Sequence, residues 1–368
     1  MAGRYWGLNR TQTLLLLAGV VIVSVVVAVI LGPSGDDPPA DRSSGSASVA
    51  RIRPGSAGSP HAVWAFGFET LRFDPALTRP RQLATQGFGA VLGTPGAVLM
   101  YDAGTGRIGR LDATDNRLDI LGTVGPAAGQ TAAWAPALAA QGTVLWVVPA
   151  PGQVARVDLT SGRATARADV AGADATATGV ATAGDAVVAA TVGRDAITVV
   201  RIDPASAVVQ TSSTVPLPEP GATLDGLVTD GRRAWVLSGQ ALHTVDLTSG
   251  SVGPTVALPD QAPGDARGLV AAGGSLWALT DGGAALTRID PDRGTTQTAA
   301  RLLDAPPPAL RLPAALVTDG RRVYAMVQAT DDPDDHTARV VGYDTRADRP
   351  IRGVQIPNRI LAGAIAAT

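Results

Sequence analysis

RRAWVLSGQALHTVDLTSG, residues 232–250, holds two short apolar segments, one tight Ser-Gly turn between them, and an aspartate followed by T-S-G. Alternating apolar and polar residues bounded by turn formers predict two β-strands joined as a hairpin, with a second turn after them. The first segment returns along the chain as AVWAF from 62, AVLMY from 97, VLWVV from 144, AVVAA from 186, SLWAL from 275 and RVYAM from 322. The second returns as LRFDP, GRLDA, ARVDL, VRIDP, HTVDL, TRIDP and VGYDT, which sets Asp74, Asp112, Asp158, Asp203, Asp246, Asp290 and Asp344 at spacings of 38, 46, 45, 43, 44 and 54. A small apolar segment ending in a turn precedes several copies (TGVATAGD at 178, LDGLVTDG at 224, ARGLVAAG at 266, PAALVTDG at 313), and a further segment such as GPTVALP at 253 comes after.

Each unit therefore carries four short strands over about 45 residues, without helical periodicity, which is the period of a propeller blade. The expectation is an all-β, seven-bladed β-propeller of four-stranded blades over residues 58–368. LAGAIAAT (361–368) matches the opening strand of a blade, so it should supply the innermost strand of blade 1 and close the ring. A closed ring removes exposed sheet edges. In the alternative, SVARIRP (48–54) fills that slot and the last strand opens a truncated eighth blade.

Ahead of the repeats, Thr13 to Leu31 holds no charge and as a helix would span about 28 Å, close to the bilayer core. Arg4 and Arg10 precede it and Asp36, Asp37 and Asp41 come after it, so residues 1–12 should be cytoplasmic and the repeats extracytoplasmic. A cleaved signal peptide is the competing reading; its apolar core would be unusually long, and no clear small-x-small site lies beyond it. Residues 32–57, dominated by Pro, Gly, Ser and Asp, read as a flexible tether with a reach of about 30 Å.

Composition narrows the chemistry. Cysteine is absent and all 30 basic residues are arginine, which excludes disulfides, thiolate sites, Schiff-base lysines and phosphate-loop lysines. Only Glu69 and Glu219 are glutamates, and a net charge of −2 without basic clusters argues against nucleic acid. No G-x-S-x-G elbow is present. The histidines, His61, His243 and His336, are far apart in sequence.

The pattern dG-x-lWva…v-x-r-iD-x-x-t-G over residues 58–368 resembles the bacterial surface-propeller repeats called YVTN, virginiamycin-B-lyase-like or PQQ-like, which neighbour the WD40 propellers in fold. The Arg, Ala, Gly and Asp bias resembles a high-GC actinobacterial proteome. A lyase of the virginiamycin type would require a histidine with metal and acidic partners, which these histidines do not assemble. The units lack the tryptophan that ends the repeat of PQQ dehydrogenases. No cofactor is expected.

Individual residues read mainly as architecture. Trp64, Trp146, Trp235, Trp277 and Tyr324 share one strand register and should fill the space between blades, with Val188 or Ala189 leaving a looser contact in blade 4. The seven repeat aspartates should cap turns. Two candidate contact sites remain. One is the TDDPDDH insertion, with Asp331, Asp332, Asp334, Asp335 and His336, as a weak cation or partner loop. The other is Arg232, Arg233, Arg321 and Arg322, as a grip on an anionic surface. The function expected is a non-catalytic, single-pass membrane-anchored scaffold at the cell surface that binds a protein or envelope partner. A propeller lactonase or lyase, or a small-ligand module of the PQQ type, is the alternative.

Overall fold

The computed structural model describes residues 50–51, 58–66, 70–78, 80–83, 89–126, 128–129, 132, 137–171, 174–217, 223–259, 267–303, 315–328, 337–356 and 364–368. The segment expected to cross the membrane (13–31) and the acidic insertion (331–336) lie outside them. Among the described residues no helix is long and apolar enough to cross a membrane.

Seven separate sheets form the blades of a propeller. Blades 2, 3, 4 and 6 are plain four-stranded antiparallel meanders, and blade 4 is the most regular. Its inner, second, third and outer strands are Ala177–Ala183, Ala186–Val192, Ala196–Ile202 and Val209–Pro216. Blade 5 ends in a two-residue outer strand, Val256–Ala257. In blade 7 the outer position is split between Arg349–Pro350 and Val354–Ile356, both paired with Ala338–Asp344.

Blade 1 is completed by the other end of the chain. Ala364–Ala367 pairs antiparallel with Val63–Phe66, with Trp64 opposite Ala366. Beyond it the Thr368 N–H donates to the Ala62 carbonyl (2.9 Å), and the Ala62 N–H donates to Thr368 Oγ1 (3.0 Å). The alternative placement of 48–54 is overturned. Ala50–Arg51 lies parallel to Arg81–Gln82 at the outer edge of blade 1, not the inner one. The physical reason is that the inner slot already has its partner, whereas the short outer strand Arg81–Leu83 leaves a ladder edge open. Within the stretch expected to be flexible tether, these two residues are thus a strand.

The core lies in the junctions between blades, where each is a layer of side chains. Trp64 packs with Val98, Met100 and Leu111 of blade 2, and Tyr324 with Val63, Leu71 and Phe73 of blade 1. Toward the axis there is no room for such volume, and the inner strands are built mainly from Gly, Ala, Val, Leu and Thr. At the seam the limit is severe: a Cβ placed on Gly93 would sit 1.7 Å from the Ala367 carbonyl oxygen.

That contact gives a direct test of the closure. Gly93→Ala should force the seam apart and lower stability by about 1–3 kcal/mol, whereas Gly125→Ala, whose added Cβ would meet nothing within 4 Å, should change it by less than about 0.5 kcal/mol. Urea midpoints of the two variants check this, and equal midpoints would refute the tight seam.

Candidate functional site

In blade 5 Arg233 lies opposite Asp246, so the turn before the second strand and the turn after the third emerge on the same face of the ring. The repeat aspartates all sit here, and each is engaged by its own turn. Asp158 Oδ1 accepts the N–H groups of Thr160 (2.8 Å) and Ser161 (2.7 Å). Asp203, Asp246, Asp290 and Asp344 repeat the pattern with the residues two and three positions on. Asp112 accepts the Thr114 N–H (2.8 Å), and Asp74 that of Thr78 (2.8 Å). These donors hold carboxylates below their usual range: the N–H three residues on is the first cause at Asp158, Asp203, Asp246 and Asp344, and the Thr114 hydroxyl at Asp112. The fourth residue after the aspartate then takes a positive φ, +66° at Gly162 and +58° at Ala207.

A second device on this face was not anticipated. The large residue of the second strand has two neighbours on its own side of the sheet: the residue two before it, and its partner on the third strand, two before the aspartate. In every blade one of these two positions, and only one, is arginine: Arg72, Arg110, Arg156, Arg201, Arg233, Arg288 and Arg322. Arg72 lies 5.2 Å from the Trp64 ring centroid, Arg233 4.8 Å from Trp235 and Arg288 6.0 Å from Trp277.

Several side chains at these positions also reach the next blade. An Arg72 Nη2 donates to the Ala113 carbonyl (3.1 Å), Arg156 Nε to Pro204 O (2.9 Å) and the Tyr324 hydroxyl to Pro75 O (3.1 Å). Each acceptor is the residue directly after the next blade's aspartate. At the junction of blades 4 and 5, Thr211 Oγ1 reaches Leu247 O (3.4 Å) in the same way. Burial, and then Asp319, raise the Tyr324 phenol well above its ordinary value, so it stays a donor. The signal was present in the sequence as R-F-D, R-L-D, R-V-D and R-I-D, five copies of one triplet.

The paired arginines expected to grip an anionic surface have partners of their own. Arg232 is 3.9 Å from Asp246, and Arg321 is 3.5 Å from Asp344. Arg233 pairs with Asp230 (3.2 Å) and with Asp292 of blade 6, and Arg322 with Asp319 (4.0 Å) and Asp344 (3.9 Å). The five large residues are buried, with relative exposures between 0 and 4%, at the junction with the following blade. In blade 4 the register position is Val188, packed against Ala234 and Val236. His243 is buried with its Nδ1 3.2 Å from the Thr255 hydroxyl, and His61 is exposed at the start of blade 1. Among the described residues no three His, Asp or Glu side chains converge as a metal site.

One cavity of about 990 Å³ opens on the same face, between blades 5 and 6. Its floor is the turn Ala272-Gly273-Gly274-Ser275, its walls Asp230 and Arg233 on one side and Arg288 to Gln297 on the other. Blades 5 and 7 carry Asp-Gly-Arg-Arg in the place of that floor, so three side chains present in both neighbouring blades are absent from it.

No family model matches the chain, and no curated protein matches its sequence. Its fold is shared by 1318 chains of solved structures, a breadth that identifies architecture rather than activity. The computationally designed Ika8 protein superposes with a TM-score of 0.54 at 14% identity, covering 84% of this chain and 91% of that one. AztD of Citrobacter koseri gives 0.50 at 14% identity, covering 85% and 88%.

Both the arginine pin and the buried histidine can be tested by stability. Arg72→Lys keeps the charge but cannot both stack on Trp64 and fork to the Ser59 and Ala113 carbonyls; unfolding free energy should fall by about 1–3 kcal/mol, and an unchanged value would refute the pinning role. Burial depresses the His243 pKa below the ordinary 6.5, so the unfolded chain takes up a proton first. The neutral imidazole's contribution is intact above pH 6.5 and is lost as pH falls from there toward the depressed folded value. Thermal unfolding from about pH 7 to 5 should therefore show a shallower loss in His243→Gln than in the parent; parallel curves would refute it.

Proposed function

We propose that this chain is a membrane-anchored, extracytoplasmic propeller of the YVTN-like type that serves as a rigid, non-catalytic scaffold for a protein or cell-envelope partner. The observation that carries the reading is the use made of its acids and arginines. Each repeat aspartate is held by the backbone of its own turn, and most arginines of the turn face, Arg72, Arg156, Arg232, Arg233, Arg321 and Arg322 among them, are pinned to a neighbouring blade or ion-paired. Groups committed in this way stiffen the blades and display the turns; they are not poised to exchange protons with a substrate. The uncharged stretch Thr13–Leu31, flanked by Arg4 and Arg10 on one side and aspartates on the other, supports an anchor with the propeller outside.

The test is capture from membranes. The full chain, tagged and expressed in a bacterial host, is crosslinked with a carboxyl-reactive reagent, because the chain offers no lysine for amine chemistry. The expected result is a discrete partner recovered only after crosslinking, with the chain in the membrane fraction and accessible to external protease. Recovery in the soluble cytosol, or lactonase or lyase turnover by the pure chain, would overturn the reading.

A further inference from the structure

Blade 6 lacks the Asp-Gly-Arg-Arg turn of its two neighbours, blades 5 and 7, and the difference falls in the cavity. Its turn has Ala272, Gly274 and Ser275 where blade 5 has Asp230, Arg232 and Arg233. Its arginine stands on the third strand, as in blades 1 to 4, as Arg288, with Ser275 Oγ accepting from Nε at 2.9 Å. Arg288 is exposed, and among the described residues it has no carboxylate within ion-pair distance, whereas the other two arginines lining the cavity do: Arg233 is paired with Asp230 and Asp292, and Arg293 with Asp290 at 3.3 Å. A second donor is also free. The Trp277 indole N–H donates to the Ala272 carbonyl (2.9 Å); that of Trp235, which lines the cavity and is 4% exposed, has no acceptor among the described residues, as is also the case for Trp64 and Trp146 in blades 1 and 3. A buried donor without a partner costs free energy until an acceptor arrives.

We propose that this cavity is the partner site of the scaffold, and that it takes a carboxylate-bearing extended peptide segment, with Arg288 receiving a carboxylate and the Trp235 N–H an acceptor. The inference rests on the scaffold reading above and names its surface. Guanidinium binds carboxylate through two parallel N–H donors, and Arg288 keeps both terminal nitrogens for that purpose while Ser275 fixes its Nε. A volume near 990 Å³ exceeds what one small dicarboxylate fills. Thr295, Thr296 and Gln297 of the wall begin the edge strand of blade 6, Thr295–Arg301, which is paired on one side only. Its open ladder matches the main-chain donors and acceptors of a peptide and has no counterpart in a polysaccharide.

The test uses the full chain in detergent and a fluorescent octaglutamate peptide, read by anisotropy at low salt. Binding is expected, weakened tenfold or more by Arg288→Gln. Gln297 lies opposite Arg288 on the outer strand with its side chain exposed on the cavity wall, so Gln297→Glu should weaken binding and Gln297→Arg strengthen it, with the unfolding midpoint changed little. Arg163→Gln, exposed in blade 3 and away from the cavity, should stay within about twofold of the parent. Equal affinity for alginate oligomers or for succinate, or indifference to both Arg288 and Gln297, would overturn the inference. If the membrane partner is captured equally by the parent and by Arg288→Gln, this site is wrong and the scaffold stands; if the parent captures nothing, the scaffold reading itself fails.

Discussion

The contact on which the molecule depends is the one between neighbouring blades: a large side chain pressed across the junction, with a polar pin beside it. No blade can bury its own faces. Trp146 is covered because Val187 and Val200 of the next blade lie against it, and Trp277 because Val323 and Tyr343 do. Each apolar layer therefore needs a following blade, and the requirement ends only when the ring returns to its start. Ala364–Ala367 meets it by laying Ile365 and Ala367 into the layer of blade 7 and Ala366 into that of blade 2. The seam is thus part of two cores as well as a ladder.

The pin explains the arginine content in physical terms. At the junction after blade 1, one side chain stacks on an indole face and at the same time donates to a carbonyl of the next blade. Guanidinium is planar and multiply donating, so it does both; ammonium is a compact, strongly hydrated point and does neither well. The carbonyl chosen is also not arbitrary. It belongs to the residue just after the aspartate, whose carboxylate has fixed the turn by taking its N–H groups, so the acceptor is held in place before the arginine arrives. Turn cap and blade pin work as a unit, and the R-x-D triplet is the sequence trace of that coupling.

This coupling shows why so much was legible beforehand and where legibility stopped. Strand count, blade count and closure were readable because period-2 patterning and the aspartate spacing are local and repeated. The role of Trp64 could be read from its register alone. The arginine device was visible as a triplet in five blades but not in blades 5 and 7, where Arg233 and Arg322 reach the same place from the other strand; only the cross-strand register reveals the equivalence. The strand at Ala50–Arg51 could not be foreseen, because its partner is an open edge and not a pattern of its own. The ion pairs of Arg232 and Arg321 were hidden for a similar reason: doubled arginines look like a free basic patch until the aspartates across the hairpin are placed.

In a fold built by repetition, a residue that obeys the repeat is accounted for by the architecture, and the residues left over for recognition are those that depart from it. Blade 6 differs from both of its neighbours at the turn before its second strand. Ser275 with Arg288 keeps the single arginine per blade, on the third strand as in blades 1 to 4, so the Trp277 junction keeps its stack. The loss of Asp and the first Arg from the turn conserves nothing; it removes volume and leaves a guanidinium without a carboxylate. Arg233 of blade 5 responds by crossing to Asp292, closing one wall of the space. In this notch three side chains present in both neighbouring blades are missing, and beside it stands an arginine with no carboxylate partner among the described residues. The notch is where the physics of the ring has been set aside, and in a scaffold that is where a partner is to be sought.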